Sequence, residues 1–165
     1  ADDQGGVMIS RTRTLAVALA VTTLAVTGAA HSAVASGGGH GDVLRFTSVQ
    51  VAETELDLGA AGFSQGDQTV FSDDLRRGGE KIGTDAGVCT VARVAGADTE
   101  LTCIATFRLP RGTITTQAMF AVAQLPRVDL AITGGTGAYS GASGHGRTVA
   151  GAVAPVVLHL QGGDD

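Results

Sequence analysis

Residues 82–109 read IGTDAGVCTVARVAGADTELTCIATFRL, and this stretch predicts how the chain folds locally. Two runs rich in Val, Ile, Thr and other apolar residues flank the short segment Ala95–Asp98. Gly and Asp in that segment favour a turn, and β-branched runs bounded by turn residues are typical of strands. The stretch therefore predicts an antiparallel hairpin.

The two cysteines lie on opposite arms of this hairpin. Cys89 and Cys103 are each seven residues from Gly96, the centre of the predicted turn. Residues equally distant from the centre of a hairpin face each other, and such pairs are close enough for a disulfide. We therefore predict a Cys89–Cys103 disulfide. The alternative is a thiol pair that faces a cavity, since the spacing fits neither a C-x-x-C redox site nor a zinc site.

The same strand and turn signals recur on both sides of the hairpin. The predicted strands are Leu44–Asp57, Gln68–Ser72, Ile82–Val94, Glu100–Leu109, Thr113–Val122, Val128–Thr133, Arg147–Val153 and Val156–Gln161. The breaks between them include the glycine-rich segment 134–146 and Pro155. We predict an all-β fold, an eight-stranded antiparallel β-barrel, in which there is room for side chains or one small ligand. A two-sheet sandwich fits the same pattern.

The N-terminal region reads as a targeting signal. Basic residues at positions 11 and 13 precede an uncharged apolar run over 15–26, and small residues follow at 33–35, as in a cleavable signal peptide. The apolar run is too short to span a bilayer. We predict a secreted protein cleaved near Ala35–Ser36, with a leader and signal peptide at 1–35, a flexible Gly-rich lead-in at 36–43 and a barrel domain at 44–162.

Composition limits the possible function classes. The chain has 165 residues, of which 44% are hydrophobic, and a formal net charge of -5. This length suits one domain, and this apolar fraction is too high for a disordered chain. The negative charge argues against nucleic acid as a partner, because binding to phosphates needs a basic face.

Few residues suggest chemistry by pattern alone. Asp73 and Asp74 follow a predicted strand, where they are either paired carboxylates for acid–base work or a turn-initiating pair. Glu53 and Glu55 share a strand face with Val49 and Val51; pointing inward they would include a buried carboxylate with a raised pKa, and pointing outward they would be solvated. His40, His145 and His159 are far apart in sequence, so we predict no metal site.

Four segments carry a family resemblance: GDQTVFSDDL at 66–75, GTDAGVC at 83–89, FRLPRGTITTQ at 107–117 and LAITGGTGAYSGA at 130–142. Together they resemble the allene oxide cyclase and dirigent superfamily over residues 44–162. The resemblance implies an eight-stranded barrel with a hydrophobic central cavity. It also implies a homo-oligomer that uses neither a metal nor an organic cofactor.

The resemblance also implies site residues. Asp73 occupies the position of a cyclase residue that holds a water on the substrate oxygen, and it forms with Asp74 a pair like that of dirigent proteins. The first-strand glutamate of the plant cyclases corresponds to Val51, with Glu53 two residues further on. We therefore assign Asp73 and Glu53 catalytic roles. The residues expected to bind substrate are Thr69, Phe71, Cys89, Leu101 and Phe107. If the strand face that carries Cys89 and Cys103 points inward, alternation along the strand places Leu101, Ala105 and Phe107 in the cavity lining as well.

The function implied is a cavity-based cyclase. It would steer an intramolecular cyclisation, for example a [4+2] cycloaddition, of a hydrophobic polyketide or lipid-like molecule by orientation and water exclusion. The alternative is a secreted, non-catalytic barrel that binds a hydrophobic small molecule. A third possibility is a surface or structural protein that keeps only the fold. Neither a nucleic acid nor a stable membrane span is expected.

Overall fold

The computed structural model of the protein describes residues 41–161. The predicted signal peptide, its cleavage point and most of the lead-in lie outside the described residues. The chain forms eight strands: β1 (Val43–Leu56), β2 (Gln68–Arg77), β3 (Glu80–Arg93), β4 (Glu100–Leu109), β5 (Gly112–Ala121), β6 (Arg127–Gly135), β7 (Ser143–Val149) and β8 (Val153–Gln161). Within residues 41–161, no helix is long and apolar enough to cross a membrane.

The strands form a closed barrel. Each strand pairs antiparallel with the next, and β8 pairs back onto β1, from Val43 opposite His159 to Val49 opposite Val153. The predicted eight-stranded antiparallel barrel is confirmed, and the sandwich is excluded. Because the last strand pairs with the first, no strand is left with an unpaired edge.

The predicted end of the second strand at Ser72 is wrong. β2 continues to Arg77, with Asp73 opposite Asp85 and Asp74 opposite Thr84 of β3. Asp73 and Asp74 thus lie within a strand and not in a turn. Since successive strand residues point to opposite faces, they do not form a pair of adjacent carboxylates.

The predicted bounds of the last two strands are also wrong. β7 begins at Ser143, inside the segment predicted as a loop, and Pro155 lies within β8 opposite Thr47. A Cβ atom on Gly146 would lie 2.9 Å from the carbonyl oxygen of Val157. Glycine is needed there because β7 and β8 approach closely, so this part of the glycine-rich composition reflects packing and not a turn.

One end of the barrel is filled by apolar side chains. This is the end at which β2 turns into β3 and β4 turns into β5. The buried core consists of Phe46, Leu75, Phe107, Leu109, Ile114, Ile132, Ala142, Val156, Leu158 and Leu160. The rings of Phe46 and Phe107 pack edge to face, with their centroids 5.5 Å apart. We call this end the closed end.

A disulfide joins β3 to β4. Cys89 faces Cys103 in the register of the two strands, their Cα atoms are 4.0 Å apart, and their sulfur atoms are bonded. The predicted disulfide is confirmed. The bridge crosses the hairpin well away from the turn, so it holds together two strands of the barrel wall.

Removing this bridge is expected to destabilise the barrel. The two cysteines are 14 residues apart in sequence, and closing a loop of about that length in the unfolded chain corresponds to about 3 kcal/mol in the chain-entropy model. The double variant Cys89→Ala/Cys103→Ala should therefore melt at a lower temperature in circular dichroism. Reductant should lower the melting temperature of the unmodified protein and leave that of the variant unchanged. A reductant-insensitive unmodified protein would contradict this prediction.

Candidate active site

A cavity of about 470 Å³ lies inside the barrel, between the apolar core and the other end. All eight strands contribute to its wall. The apolar lining consists of Phe71, Cys89, Leu101, Cys103, Ala105, Phe107, Ala118, Phe120, Leu125, Val128, Leu130, Val149, Ala150, Gly151, Ala154 and Val156. The polar lining consists of Ser48, Gln50, Glu53, Thr69, Asp73, Asp85, Thr116 and Thr148. This volume is in the usual range for small-molecule sites.

The cavity has a floor and a mouth. The core residues Phe107 and Val156 also line the cavity and are 4% and 2% exposed, so they form its floor at the closed end. The exposed residues Glu53, Leu125 and Gly151 line the other end, beside the β1–β2, β5–β6 and β7–β8 loops, and form its mouth. A guest molecule would therefore enter from one side only.

A β-bulge in β1 determines which residues of this strand face the cavity. Gln50 lies opposite Asp73, but the next partners are Ala52 and Ser72, so the register shifts by one residue at Val51. Ser48 and Gln50 line the cavity before the bulge, and Glu53 lines it after the bulge. The prediction that Val51 and Glu53 share a face is wrong for this reason. Glu53 is exposed at the mouth, so the buried-carboxylate alternative is not realised there.

Three polar side chains meet at the floor of the cavity. The Ser48 hydroxyl donates a hydrogen bond to Asp73, with Oγ 2.7 Å from Oδ2, and lies 3.4 Å from both carboxylate oxygens of Asp85. Asp85 lies between Asp73 on β2 and Phe107 on β4 in the strand register. Ser48 and Asp85 are 5% and 6% exposed. We call Ser48, Asp73 and Asp85 the floor cluster.

Burial changes the protonation of this cluster. Removal from water and, after it, the neighbouring charge of Asp73 together raise the pKa of Asp85 from its ordinary value of 3.8 to about 7. The hydrogen bond from Ser48 acts in the opposite direction but is weaker. Near neutral pH the Asp85 carboxyl is therefore protonated in a substantial fraction of molecules. In that state it can donate a hydrogen bond or a proton, which an ordinary aspartate cannot.

A further hydroxyl lies across the floor from this cluster. Thr116 of β5 is 1% exposed and lines the cavity. In an eight-stranded barrel β5 stands opposite β1, which carries Ser48. The floor therefore presents polar groups on two sides of an otherwise apolar surface.

The structure brings together every residue that the sequence assigned to the site. Those residues are Glu53, Thr69, Phe71, Asp73, Cys89, Leu101 and Phe107, and all of them line the one cavity. They span its depth, from Glu53 at the mouth to Asp73 and Phe107 at the floor. Their catalytic and binding roles stay predictions.

Asp85 and Ser48 are the residues that the sequence reasoning missed. Asp85 stands within the quoted motif at 83–89, and by alternation along the strand it shares the face of Cys89. Alternation from Cys89 could therefore have predicted that Asp85 faces the cavity. No feature of the sequence indicated Ser48, because its role depends on two carboxylates that come from other strands.

The disulfide forms part of the cavity wall. Cys89 and Cys103 both line the cavity beside Leu101 and Ala105. The alternative prediction of two thiols facing a cavity is wrong, because the two sulfur atoms are bonded to each other and the bridge itself faces the cavity. The neighbouring residues predicted to line the cavity with the cysteines do so.

No group of three or more His, Cys, Asp and Glu side chains within residues 41–161 is arranged to hold a metal ion. The floor cluster has two carboxylates and a hydroxyl, and its hydrogen bonds are made within the cluster. His145 and His159 do come together, but on other strands, β7 and β8, and they do not line the cavity.

The family model of the allene oxide cyclase barrel-like domain matches residues 46–150. Among solved structures, a pyocyanin demethylase is 27% identical, with a TM-score of 0.67, and the match covers 72% of this chain and 99% of that one. No curated protein matches the sequence significantly.

Two more distant structures share the fold alone. AbnU, an exo-specific intermolecular Diels-Alderase, is 15% identical with a TM-score of 0.62, and the match covers 75% of this chain and all of that one (100%). The pterocarpan synthase dirigent protein GePTS1 is 16% identical with a TM-score of 0.58, and the match covers 73% of this chain and 86% of that one.

The pKa of Asp85 predicts how stability depends on pH. The folded protein keeps a proton on Asp85 up to about pH 7, whereas the unfolded chain releases it near 3.8. Below pH 3.8 Asp85 is protonated in both the folded and the unfolded chain, so its contribution to the free energy of unfolding is fully present. As pH rises through about 7, that contribution is lost, and the free energy of unfolding falls by about a few kcal/mol. Asp85→Asn, which cannot ionise, should raise the melting temperature at pH 8 much more than at pH 4.

The matched control is Asp129→Asn, because the Asp129 side chain is exposed on the outer wall. This control should show no comparable gain at pH 8. Equal shifts for Asp85→Asn at both pH values would contradict a raised pKa of Asp85.

Proposed function

The chain belongs to the allene oxide cyclase barrel-like family, and on that basis we propose that it is a cofactor-independent cyclase. Its substrate is a hydrophobic polyketide or lipid-like small molecule that is folded inside the barrel. The reaction is an intramolecular cyclisation, for example a [4+2] cycloaddition. The observation that carries this proposal is the one-ended cavity whose apolar wall surrounds a partly protonated floor cluster.

The shape of the cavity supports catalysis by conformer selection. An apolar wall contributed by all eight strands restricts a flexible guest to the few conformations that fit, and the filled closed end keeps water from entering behind it. When the cavity holds the two reacting ends of one molecule together, less conformational entropy is left to lose on the way to the transition state. This can lower the activation free energy by several kcal/mol. A cycloaddition makes its new bonds from the electrons of the substrate, so it needs no redox partner.

The floor cluster supplies the polar contact. A protonated Asp85 donates a hydrogen bond to a carbonyl or hydroxyl oxygen of the guest, and donation to a carbonyl draws electron density from a conjugated double bond. Asp73 accepts the Ser48 hydrogen bond and holds a negative charge close to Asp85, which favours the protonated form of Asp85. Glu53 offers a second polar contact at the mouth.

Turnover should depend on protonated Asp85. The rate is expected to fall as pH rises through about 7, because ionisation removes the donor. Asp85→Ala should lower kcat about 100-fold, the usual loss when one such donor is removed. Asp73→Asn should lower it as well, because it removes the charge that keeps Asp85 protonated. The assay is conversion of candidate polyenes, followed by liquid chromatography and mass spectrometry.

The matched control is Asp74→Ala, which changes the neighbouring aspartate of the same strand, where its carboxylate pairs with Lys81 outside the cavity. Its turnover should match that of the unmodified protein. Turnover unaffected by Asp85→Ala would remove Asp85 from the mechanism. A guest that native mass spectrometry finds retained and released unchanged, with no product, would favour the non-catalytic binding barrel instead.

A methylated small molecule is a second candidate guest of the cavity. The pyocyanin demethylase is 27% identical to this chain, and the match spans 99% of that protein. By its name it acts on a methylated small molecule, which a cavity of about 470 Å³ could also hold. Pyocyanin therefore belongs in the same screen, with saturable binding inside the barrel as the readout.

We keep export from the cytoplasm as a proposal. The disulfide supports it, because such bridges form and persist in oxidising compartments.

We also propose a homo-oligomer that associates through the outer wall of β2–β5. Val70, Val88, Ile104 and Gln117 form one cross-strand row there, and none of these residues carries a charge. Ile104 is 54% exposed, and nearby Met119 is 65% exposed. An uncharged row with exposed large apolar residues beside it is typical of the centre of a subunit interface.

Ile104→Lys should therefore shift the protein to the monomer, because a charge in the centre of an apolar interface is left without a partner. Light scattering coupled to size exclusion measures the mass. The matched control is Val153→Lys, at another exposed valine near the mouth, which should leave the mass unchanged. A monomeric unmodified protein would contradict the proposal.

A further inference from the structure

The outer wall formed by β1, β7 and β8 carries a concave, basic surface. Arg45, Val157 and Arg147 form one cross-strand row, and His159 and His145 lie opposite each other in the next row. These five residues line a depression of about 300 Å³. We call the surface that they form the basic groove.

The groove faces away from the cavity. Val156 and Leu158 of β8 are 2% and 0% exposed and point into the barrel. Val157 lies between them and points outward, and its cross-strand partners on the neighbouring strands share its face. A ligand in the groove would therefore not contact the floor cluster.

The charge of the groove is opposite to that of the whole chain. The formal net charge is -5, yet no acidic residue lines the depression. Asp129 is beside it and pairs with Arg147, with Nε 3.1 Å from Oδ1. Arg45 makes no ion pair within residues 41–161. Its carbonyl oxygen accepts a hydrogen bond from Arg77 Nε at 3.1 Å, which brings another guanidinium to this part of the wall.

The two imidazoles add hydrogen-bond donors. The rings of His145 and His159 are stacked, with their centroids 4.8 Å apart and an angle of 12° between their planes. A pair of histidines on its own would suggest a transition-metal ion. Two guanidinium groups in the adjacent row repel such a cation, whereas imidazole N–H and guanidinium N–H groups together suit an oxyanion.

We propose that the basic groove is a binding site for a phosphate group. Arg45 and Arg147 lie on strands two positions apart, so their backbones are separated by about 10 Å. Two guanidinium groups can converge across that span on one tetrahedral anion that lies over Val157. Guanidinium groups bind phosphate oxygens in pairs, and the histidines contact the remaining oxygens. The phosphate group belongs either to a soluble phosphorylated molecule or to a lipid headgroup.

The test is a titration of the unmodified protein with inorganic pyrophosphate at constant ionic strength, followed by NMR of the histidine ring protons. We expect saturable shifts at His145 and His159. Arg45→Gln should weaken the affinity at least tenfold. Arg108→Gln, which removes an exposed arginine on β4 away from the groove, is the matched control and should leave the affinity unchanged.

Vesicles distinguish the two sources of phosphate. Sedimentation with phosphatidylglycerol vesicles but not with phosphatidylcholine vesicles, lost in Arg45→Gln, assigns the site to an anionic headgroup. Pyrophosphate binding without sedimentation assigns it to a soluble phosphate. The proposal is overturned if pyrophosphate causes no shift and neither vesicle binds, or if Arg45→Gln and Arg108→Gln weaken binding equally. Shifts caused by zinc but not by pyrophosphate would also overturn it.

Discussion

Hydrogen bonding between β8 and β1 turns a meander of eight antiparallel strands into a cylinder, and this closure determines the width of the interior. An eight-stranded barrel is just wide enough for its own side chains or for one small guest. Large side chains such as Phe46, Leu75 and Leu158 fill one half of this barrel. Smaller side chains such as Ala105 and Ala118 leave the other half open. The cavity thus results from the smaller side chains in this half of the barrel.

The same closure makes the floor cluster possible. Ser48, Asp73 and Asp85 come from three neighbouring strands and meet because their side chains point into one narrow space. Two carboxylates so near each other in an apolar interior cannot both ionise at low cost, so one of them keeps its proton near neutral pH. Among the described residues, no buried side-chain nitrogen or oxygen atom lacks a hydrogen-bond partner. A buried polar cluster of this kind costs stability, which is typical of a functional site.

The inner and outer faces of the barrel wall carry different kinds of binding site. Where a strand has no bulge, alternation points one of two successive residues into the barrel and the other toward solvent. On β2, Asp73 joins the floor cluster while Asp74 pairs with Lys81 outside. On β8, Val156 lines the cavity while Val157 lies in the basic groove. One thin sheet can therefore carry an apolar guest site on its inner face and a charged site on its outer face.

The sequence by itself determined the strand class and the disulfide, because β-branched runs, turn residues and the distance of Cys89 and Cys103 from Gly96 are local properties. The same pattern fits a barrel and a two-sheet sandwich, and the pairing of β8 with β1 decided between them. The sequence also placed the predicted site residues on strands whose inner faces line one cavity. Only the tertiary structure shows which residues of β1 after Val51 face the cavity, because the sequence pattern does not indicate the bulge. It alone showed why the glycines of β7 lie in a strand, because that depends on how closely β8 approaches. The protonation of Asp85 was likewise decided there, because burial and the nearness of Asp73 arise only when distant segments of the chain are brought together.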